Sequence, residues 1–393
     1  MKDSFLSRSI GQVIVLVFVV LTACQSPSDT NSETPVSSFK AVKIDSFEVN
    51  NLTRVIIRDY SPEEKIYLGY SIVDDELLEI SEEGQILKRV SKKGEGPGLY
   101  GNWNPIGMGF GPNGLRIAEL PFSIFAYDST YEIAYQQRIQ SPLPIRGFGP
   151  MGRTEYFNSG DSTFFLVGPS NYLSAHYLIH NEEGRDTLKN FYQLHLQSGD
   201  MKSVVPYRSE SIYKQTQDIY PELMTKTFVV NHEKNELMVL HGLEDEIEVY
   251  SLPSLQLART IPIEHSEFLL YSPVPIGTAS NDERLASLRL MSARNQSLIQ
   301  LDESEFLIKY FTGVSEGQFA ARRADDAIYS PPSDPSEQRL LLVDDKNGST
   351  HEMESIPGTV LFGLGERKFL VIEPENSEIE EEVTRFSIYQ IQP

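Results

Sequence analysis

The sequence predicts an all-β fold: a β-propeller of six blades, or seven if one of the two longest repeats holds another. Three observations carry that prediction. A short alternating strand, a polar turn and a second short strand recur along the 393 residues. Most copies are preceded by a further apolar strand, giving four strands per repeat of roughly 40–60 residues, which is how propeller blades read. The last repeat lacks its final strand, whereas the segment 39–49 reads as a strand with no neighbour in sequence to pair with. If that segment supplies the outer strand of the last blade, the ring closes and leaves no open edge.

Taken in order, the chain opens on Lys2 and Arg8, then an uninterrupted apolar run from Val13 to Leu21. A charged start, a short apolar core and small residues before a cut describe a secretory signal. The run is shorter than the roughly 20 residues a bilayer-spanning helix needs. It ends in Leu21-Thr22-Ala23-Cys24, which resembles the bacterial lipobox. The resemblance implies cleavage after residue 23, a diacylglycerol on the Cys24 thiol and an acylated new amine. Several acyl chains on one residue hold a protein at a membrane where one chain is marginal. Gln25 rather than Asp follows the cysteine, and by the same resemblance the destination is the outer membrane. The sequence therefore divides into a signal at 1–23, a polar tether at 24–38 rich in Ser, Thr and Pro, and a propeller domain at 39–393. Asp29 and Glu33 are too scattered to form an acidic surface-export signal.

The hairpins follow. Glu76–Ser81 pairs with 85–90, Ser123–Tyr127 with 131–135, and Phe191–Leu196 with 201–205. Glu246–Tyr250 pairs with 255–259, Arg339–Val343 with 349–353, and a lone last strand spans 385–391. Preceding arms lie at 65–70, 115–119 and 236–241. The six blades span 51–90, 105–139, 145–207, 225–263, 297–354, and 357–391 with 39–50. The uneven spacing places insertions in loops on one face. In 281–295, Leu285, Leu288 and Met291 fall at helical spacing. That segment and 207–224 belong to long inter-strand connections.

Composition narrows the function. The formal net charge is −22, and loss of Lys2, Asp3 and Arg8 with the signal takes it to −23. So negative a surface argues against nucleic acid and against lying on anionic lipid. One cysteine in an oxidising compartment rules out a disulfide within the chain, and stability comes from burial, for which the length is ample.

The most distinctive internal motif is Ser91-Lys-Lys-Gly-Glu-Gly-Pro-Gly-Leu-Tyr100. Its Gly-x-Gly-Pro-Gly-x-Tyr core is similar to that of uncharacterised Bacteroidetes lipoproteins of the six-bladed β-propeller type. Leu99 stands where their pattern has Glu. Lys92 and Lys93 would draw an anion towards the backbone amides around Gly94, Gly96, Pro97 and Gly98, beside Tyr100. The alternative is a tight blade crossing whose glycines take φ > 0. No Gly-Lys-Ser/Thr follows, so this is not a phosphate loop.

No residues call for a metal or cofactor. His176 and His180 are four apart, a ligand spacing on a helix but not on the strand expected there. The acidic groups at 244–246, 325–326, 344–345 and 378–382 lack a calcium-loop pattern and read as solvated turns. There is no Gly-x-Ser-x-Gly elbow. The expectation is a non-catalytic outer-membrane lipoprotein that binds an envelope protein or an extracellular glycan or peptide. The alternative is an enzyme on the same scaffold, a glycan hydrolase or lyase working at the channel mouth.

Overall fold

Six antiparallel sheets stand in a ring in the computed structural model, which describes residues 39–139, 151–167, 191–221, 223–325, 328–375 and 382–393. The signal at 1–23, Cys24, the tether, His176, His180 and residues 378–381 of the last acidic run lie outside the described residues.

β1 (Lys40–Asn50) comes first. Blade one is β2 (Val55–Ser61), β3 (Ile66–Ser71), β4 (Glu76–Ser81) and β5 (Ile86–Ser91). Blade two is β6 (Gly107–Phe110), β7 (Arg116–Leu120), β8 (Ser123–Tyr127) and β9 (Ile133–Arg138). After the short β10 (Gly152–Arg153), blade three is β11 (Glu155–Ser159), β12 (Ser162–Val167), β13 (Phe191–His195) and β14 (Met201–Val204). Blade four is β15 (Lys226–Asn231), β16 (Glu236–His241), β17 (Glu246–Ser251) and β18 (Gln256–Pro262). Blade five is β19 (Arg294–Gln300), β20 (Glu305–Phe311), β21 (Gln338–Asp344) and β22 (Ser349–Met353). Blade six is β23 (Thr359–Gly365), β24 (Lys368–Ile372) and β25 (Val383–Gln392), with β1 as its outermost strand.

The burial of each strand follows from its rank in the blade. Middle strands are covered on both faces by neighbouring blades, so every residue of β3 is buried. Outermost strands such as β5 and β9 alternate between half-buried and exposed. The core is accordingly a set of layers between adjacent blades. Val229, Met238 and Ile247 of blade four, for example, pack against Phe306, Ile308 and Leu341 of blade five. Ion pairs stitch the same junctions. Buried Arg116 of blade two reaches Glu64 Oε2 (2.6 Å) and Glu79 Oε1 (2.8 Å) of blade one.

The predicted closure is present. β1 runs antiparallel to β25 from Lys40 opposite Gln392 to Asn50 opposite Val383. Phe47 then stacks between Tyr67 of blade one and Phe386 of blade six, at 5.1 and 5.2 Å. There is no seventh sheet among the described residues. In the long third repeat, Val167 pairs directly with Tyr192, so the excess is an insertion between neighbouring strands. In the fifth, Phe311 pairs with Gln338 around an insertion that carries a helix and two 3-10 turns.

Among the described residues, three helices occupy the connections: α1 (Ile212–Gln215), α2 (Glu283–Met291) and α3 (Glu316–Asp325). α2 falls within the predicted helical segment. Asp282 caps it by accepting a bond from the Arg284 amide (2.9 Å), and Leu288 and Met291 are buried. Asn295, read as part of that segment, belongs instead to β19. β9 starts two residues later than expected, because Tyr131 adopts φ 64° in the preceding turn. β10 was not foreseen: it adds a parallel fifth strand to the inner edge of blade two.

The up-and-down topology sends all first-to-second and third-to-fourth strand connections to one face, and none of these exceeds five residues. The blade crossings and second-to-third connections share the other face. Every longer connection starts and ends there, and the three described helices belong to such connections.

Candidate functional site: the channel and its loop-bearing mouth

The first strands of adjacent blades meet around the centre and enclose a cavity of about 490 Å³. Its walls include the opening residues of β15 and β23, so it lies towards the loop-bearing end, where those strands start. One side is apolar, with Leu298, Ile299, Val360 and Leu361. Four cations also line it: Arg58, Arg153, Lys226 and Lys309. Two carboxylates, Glu119 and Glu155, complete the charged lining.

β-bulges build part of this wall. The register of β2 slips between Ile57 and Asp59, that of β19 between Asn295 and Ser297, and that of β23 between Val360 and Phe362. The skipped residues are Arg58, Gln296 and Leu361, and all three line the cavity. A bulge adds one residue against its partner strand and re-aims its side chain. Blades five, six and one are consecutive in the ring, so the bulges form one continuous sector.

Arg153 reaches the channel on β10. Its Nε meets Asp59 Oδ1 at 3.0 Å and Glu155 Oε1 at 3.9 Å. Its side chain keeps 39 % of its surface open to the channel, so solvent screens these pairs in part. Both acids also brace the ring. Asp59 Oδ2 accepts from the Phe110 amide of blade two (2.7 Å), and Glu155 Oε2 from the Val230 amide of blade four (3.0 Å). Burial raises the Asp59 carboxyl, with Arg153 opposing it, and pushes Glu155 up to about 7.

The other cations differ. Burial lowers Lys226 to about 7 against the opposing pull of Glu248, and its ammonium lies 4.4 Å from the Phe191 ring centre and 5.4 Å from that of Tyr207. Burial alone lowers Arg58 to about 10 and depresses Lys309, with no carboxylate offsetting either. Arg58 Nε is buried without a hydrogen-bond acceptor.

The glycine motif forms the crossing from blade one to blade two. Gly94, Gly96 and Gly98 take φ of 130°, 139° and 81°, a region that L side chains avoid. Gly94 and Gly101 form an antiparallel bridge, and the Tyr100 amide donates to the Lys92 carbonyl (2.9 Å). Tyr100 is buried against Phe125. Lys93 Nζ binds Asp75 (2.8 Å) and Asn104 Oδ1 (2.9 Å), and Lys92 Nζ lies 5.3 Å from the Tyr127 ring centre. The structure thus brings Lys92, Lys93, Gly94, Gly96, Pro97, Gly98 and Tyr100 into one crossing, with both ammoniums already engaged. None of the seven lines the channel cavity.

Sequence reading missed Arg58 and Lys309. For Arg58 a signal exists, since Arg58-Asp59 puts two charges side by side in an apolar strand and breaks its alternation. Lys309 gives no such sign. Of the acidic groups, Glu244 accepts from Ser211 Oγ (2.6 Å) and the Ile212 amide (3.0 Å) at the start of α1. Asp345 pairs with Arg259 and Lys234. Among the described residues, no three His, Cys, Asp or Glu side chains gather closely enough to hold a metal ion.

The loop-bearing face also concentrates apolar surface. Of the large hydrophobic side chains exposed among the described residues, Leu52, Ile72, Val73, Trp103, Phe122, Leu269, Leu270 and Ile328 lie in its connections. The other four sit on the outermost strands β1, β5 and β18, and the short-hairpin face has none. Trp103, the sole tryptophan, packs edge-on against Phe122 at 5.8 Å.

No protein-family model matches the sequence, and no curated protein does. Solved structures share the fold. One is a member of the DUF4221 family from Bacteroides vulgatus, 12 % identical, with a TM-score of 0.60 over 91 % of this chain and 99 % of that one. Another is a Bacteroides fragilis protein expected to be exported, also 12 % identical, with a TM-score of 0.53 over 91 % of this chain and 97 % of that one. The chain has the propeller fold of these Bacteroides proteins.

Proposed function

We propose that the protein is a non-catalytic binding or scaffold lipoprotein of the outer membrane, anchored through Cys24, whose recognition surface is the loop-bearing face around the channel mouth. The partner is an envelope protein or an extracellular glycan or peptide. One observation carries the reading: among the described residues, exposed large hydrophobic side chains gather on that face and none lies on the opposite one. Its insertions supply long loops on a rigid scaffold, the usual arrangement for binding. The description of the Bacteroides fragilis relative as expected to be exported agrees with an envelope location.

The test is a pull-down of tagged full-length protein from its native envelope in mild detergent. The wild type recovers a partner in near-equal amount. A variant with Leu52, Val73, Trp103 and Phe122 changed to Ser loses it, and a Leu87→Ser/Leu257→Ser control keeps it. Equal recovery by the face variant, or no partner at all, overturns the reading. Cys24→Ala moves the protein out of the membrane fraction, and continued sedimentation with membranes would overturn the anchor.

A second reading, an enzyme at the channel mouth, draws on the raised acids Asp59 and Glu155 beside Arg153. It requires turnover of an envelope glycan that Glu155→Gln abolishes.

A further inference from the structure

The cavity beneath the recognition face carries an inference of its own, which extends the binding reading from the rim to the channel. The chain has 56 acidic residues against 34 Lys and Arg, so carboxylates are available to pair almost any buried cation. Arg153 is paired in this way, with Asp59 and Glu155. Arg58 and Lys309 are not. A cation withdrawn from water without a partner costs free energy, and folded proteins normally pair it. Here Arg58, the half-buried extra residue of a bulge in blade one, and Lys309, a half-buried lysine of blade five, keep two unmatched charges on one cavity. Between those blades stands β23 of blade six, which presents Val360 and Leu361 to the same space. Two uncompensated cations flanking an apolar wall describe a ligand with a negative head and an apolar body. The volume, about 490 Å³, suits a ligand of small-molecule size.

We propose that the loop-side half of the channel is a binding site for a small anionic ligand with an apolar body, its carboxylate or other oxyanion met by Arg58 and Lys309 and its body laid along Val360, Leu361 and Leu298. Glu119 and Glu155 on the remaining wall disfavour a polyanion, so the ligand carries one or two negative charges.

The test uses full-length protein in non-ionic detergent, titrated by calorimetry with naphthalene-2-sulfonate, against its uncharged counterpart naphthalene-2-sulfonamide and a detergent blank. The sulfonate binds saturably at one site per chain. Its affinity falls at least about tenfold in Arg58→Gln and in Lys309→Gln, as loss of a charge-assisted contact requires, and less in Arg58→Lys. The sulfonamide binds weakly and equally to all forms. A second readout is independent of the probe. If Arg58 is held at a cost for a ligand, Arg58→Met raises the unfolding temperature of the empty protein, whereas a structural arginine would lower it. Absent or unsaturable sulfonate binding, equal binding of the sulfonamide, wild-type affinity in both glutamine variants, or a lowered unfolding temperature each overturns the proposal. Partner capture by the loop-bearing face is measured separately, so a failure in the channel leaves the face reading standing, and the converse holds.

Discussion

Glu155 joins architecture to electrostatics in one side chain. It is 6 % exposed, braces the Val230 amide of the next blade and faces the channel, and burial pushes its carboxyl to about 7 from 4.5. Between those two values the folded protein keeps a proton that the unfolded chain has released. Stability from this group therefore falls as pH rises from 4.5 to 7, by up to about 3 kcal/mol. The buried Asp59 carboxyl, also raised, adds to the fall in the same direction. Lys226 acts with the opposite sign in a higher window: its lowered folded value means that stability recovers as pH rises from about 7 towards 10.5. Urea midpoints of the wild type at pH 5 and pH 7.5 should differ by more than those of Glu155→Gln, which keeps a hydrogen-bond acceptor without the titration. An equal difference in both would remove Glu155 from the account. None of this is legible in the sequence. Glu155 opens an ordinary alternating strand, and only the approach of blade four and of Arg153 on β10 buries it. Arg58 is the contrasting case, since the adjacent charges of Arg58-Asp59 break the alternation of an apolar strand in the sequence itself.

At the scale of the element, the strands that sequence reading placed best are those whose hydrogen-bonded partners are their neighbours in sequence, within their own blade. Ser123–Tyr127, Glu236–His241 and Ser349–Met353 coincide with β8, β16 and β22. β10 escaped because two residues carry no periodicity, and its pairing with β6 depends on the ring bringing them together. β1 was legible as a strand with no neighbour in sequence to pair with, and the missing last strand of blade six named its partner. Its fit is set by Phe47 and Val49, the two buried residues of an otherwise exposed or half-exposed strand. The blade-one hairpin also presses on it: a Cβ at Gly84, where φ is 86°, would collide with the Glu48 carbonyl. Phe47→Ala should cost about 3 kcal/mol, from lost stacking on two blades and the cavity left behind. Leu87→Ala, on another outermost strand but 57 % exposed, should change stability by less than about 0.5 kcal/mol. Chemical denaturation of both variants decides the matter, and a Phe47→Ala cost below 1 kcal/mol would mean that β1 pairs through its backbone alone.

The whole molecule is a ring of quasi-equivalent wedges, and its cooperativity depends on there being no open junction. Lys40 lies opposite Gln392, so the two ends of the propeller domain are adjacent across one strand pair. Closure therefore needs a strand from each end of the domain, but the physics of packing does not require that this junction fall in blade six. A permuted domain tests the point. Residue 393 is joined to residue 39 by a short Gly/Ser link, and new ends are opened in the hairpin between β21 and β22, on the face with only short connections. Blade six then becomes contiguous, and blade five is the one completed by strands from both ends. The permutant should keep its sheet content and unfold within about 1 kcal/mol of the parent, because every inter-blade layer and edge pairing is conserved. Deleting 39–50 from the unpermuted domain should instead expose the β25 edge and the apolar surface under Phe47, and yield aggregation. Size-exclusion chromatography and urea unfolding separate the two outcomes. If the permutant aggregates like the deletion, the β1–β25 junction has a folding role that its pairing does not explain. If it folds, the ends of the domain can be moved around the short-hairpin face without touching the loop-bearing face or the channel.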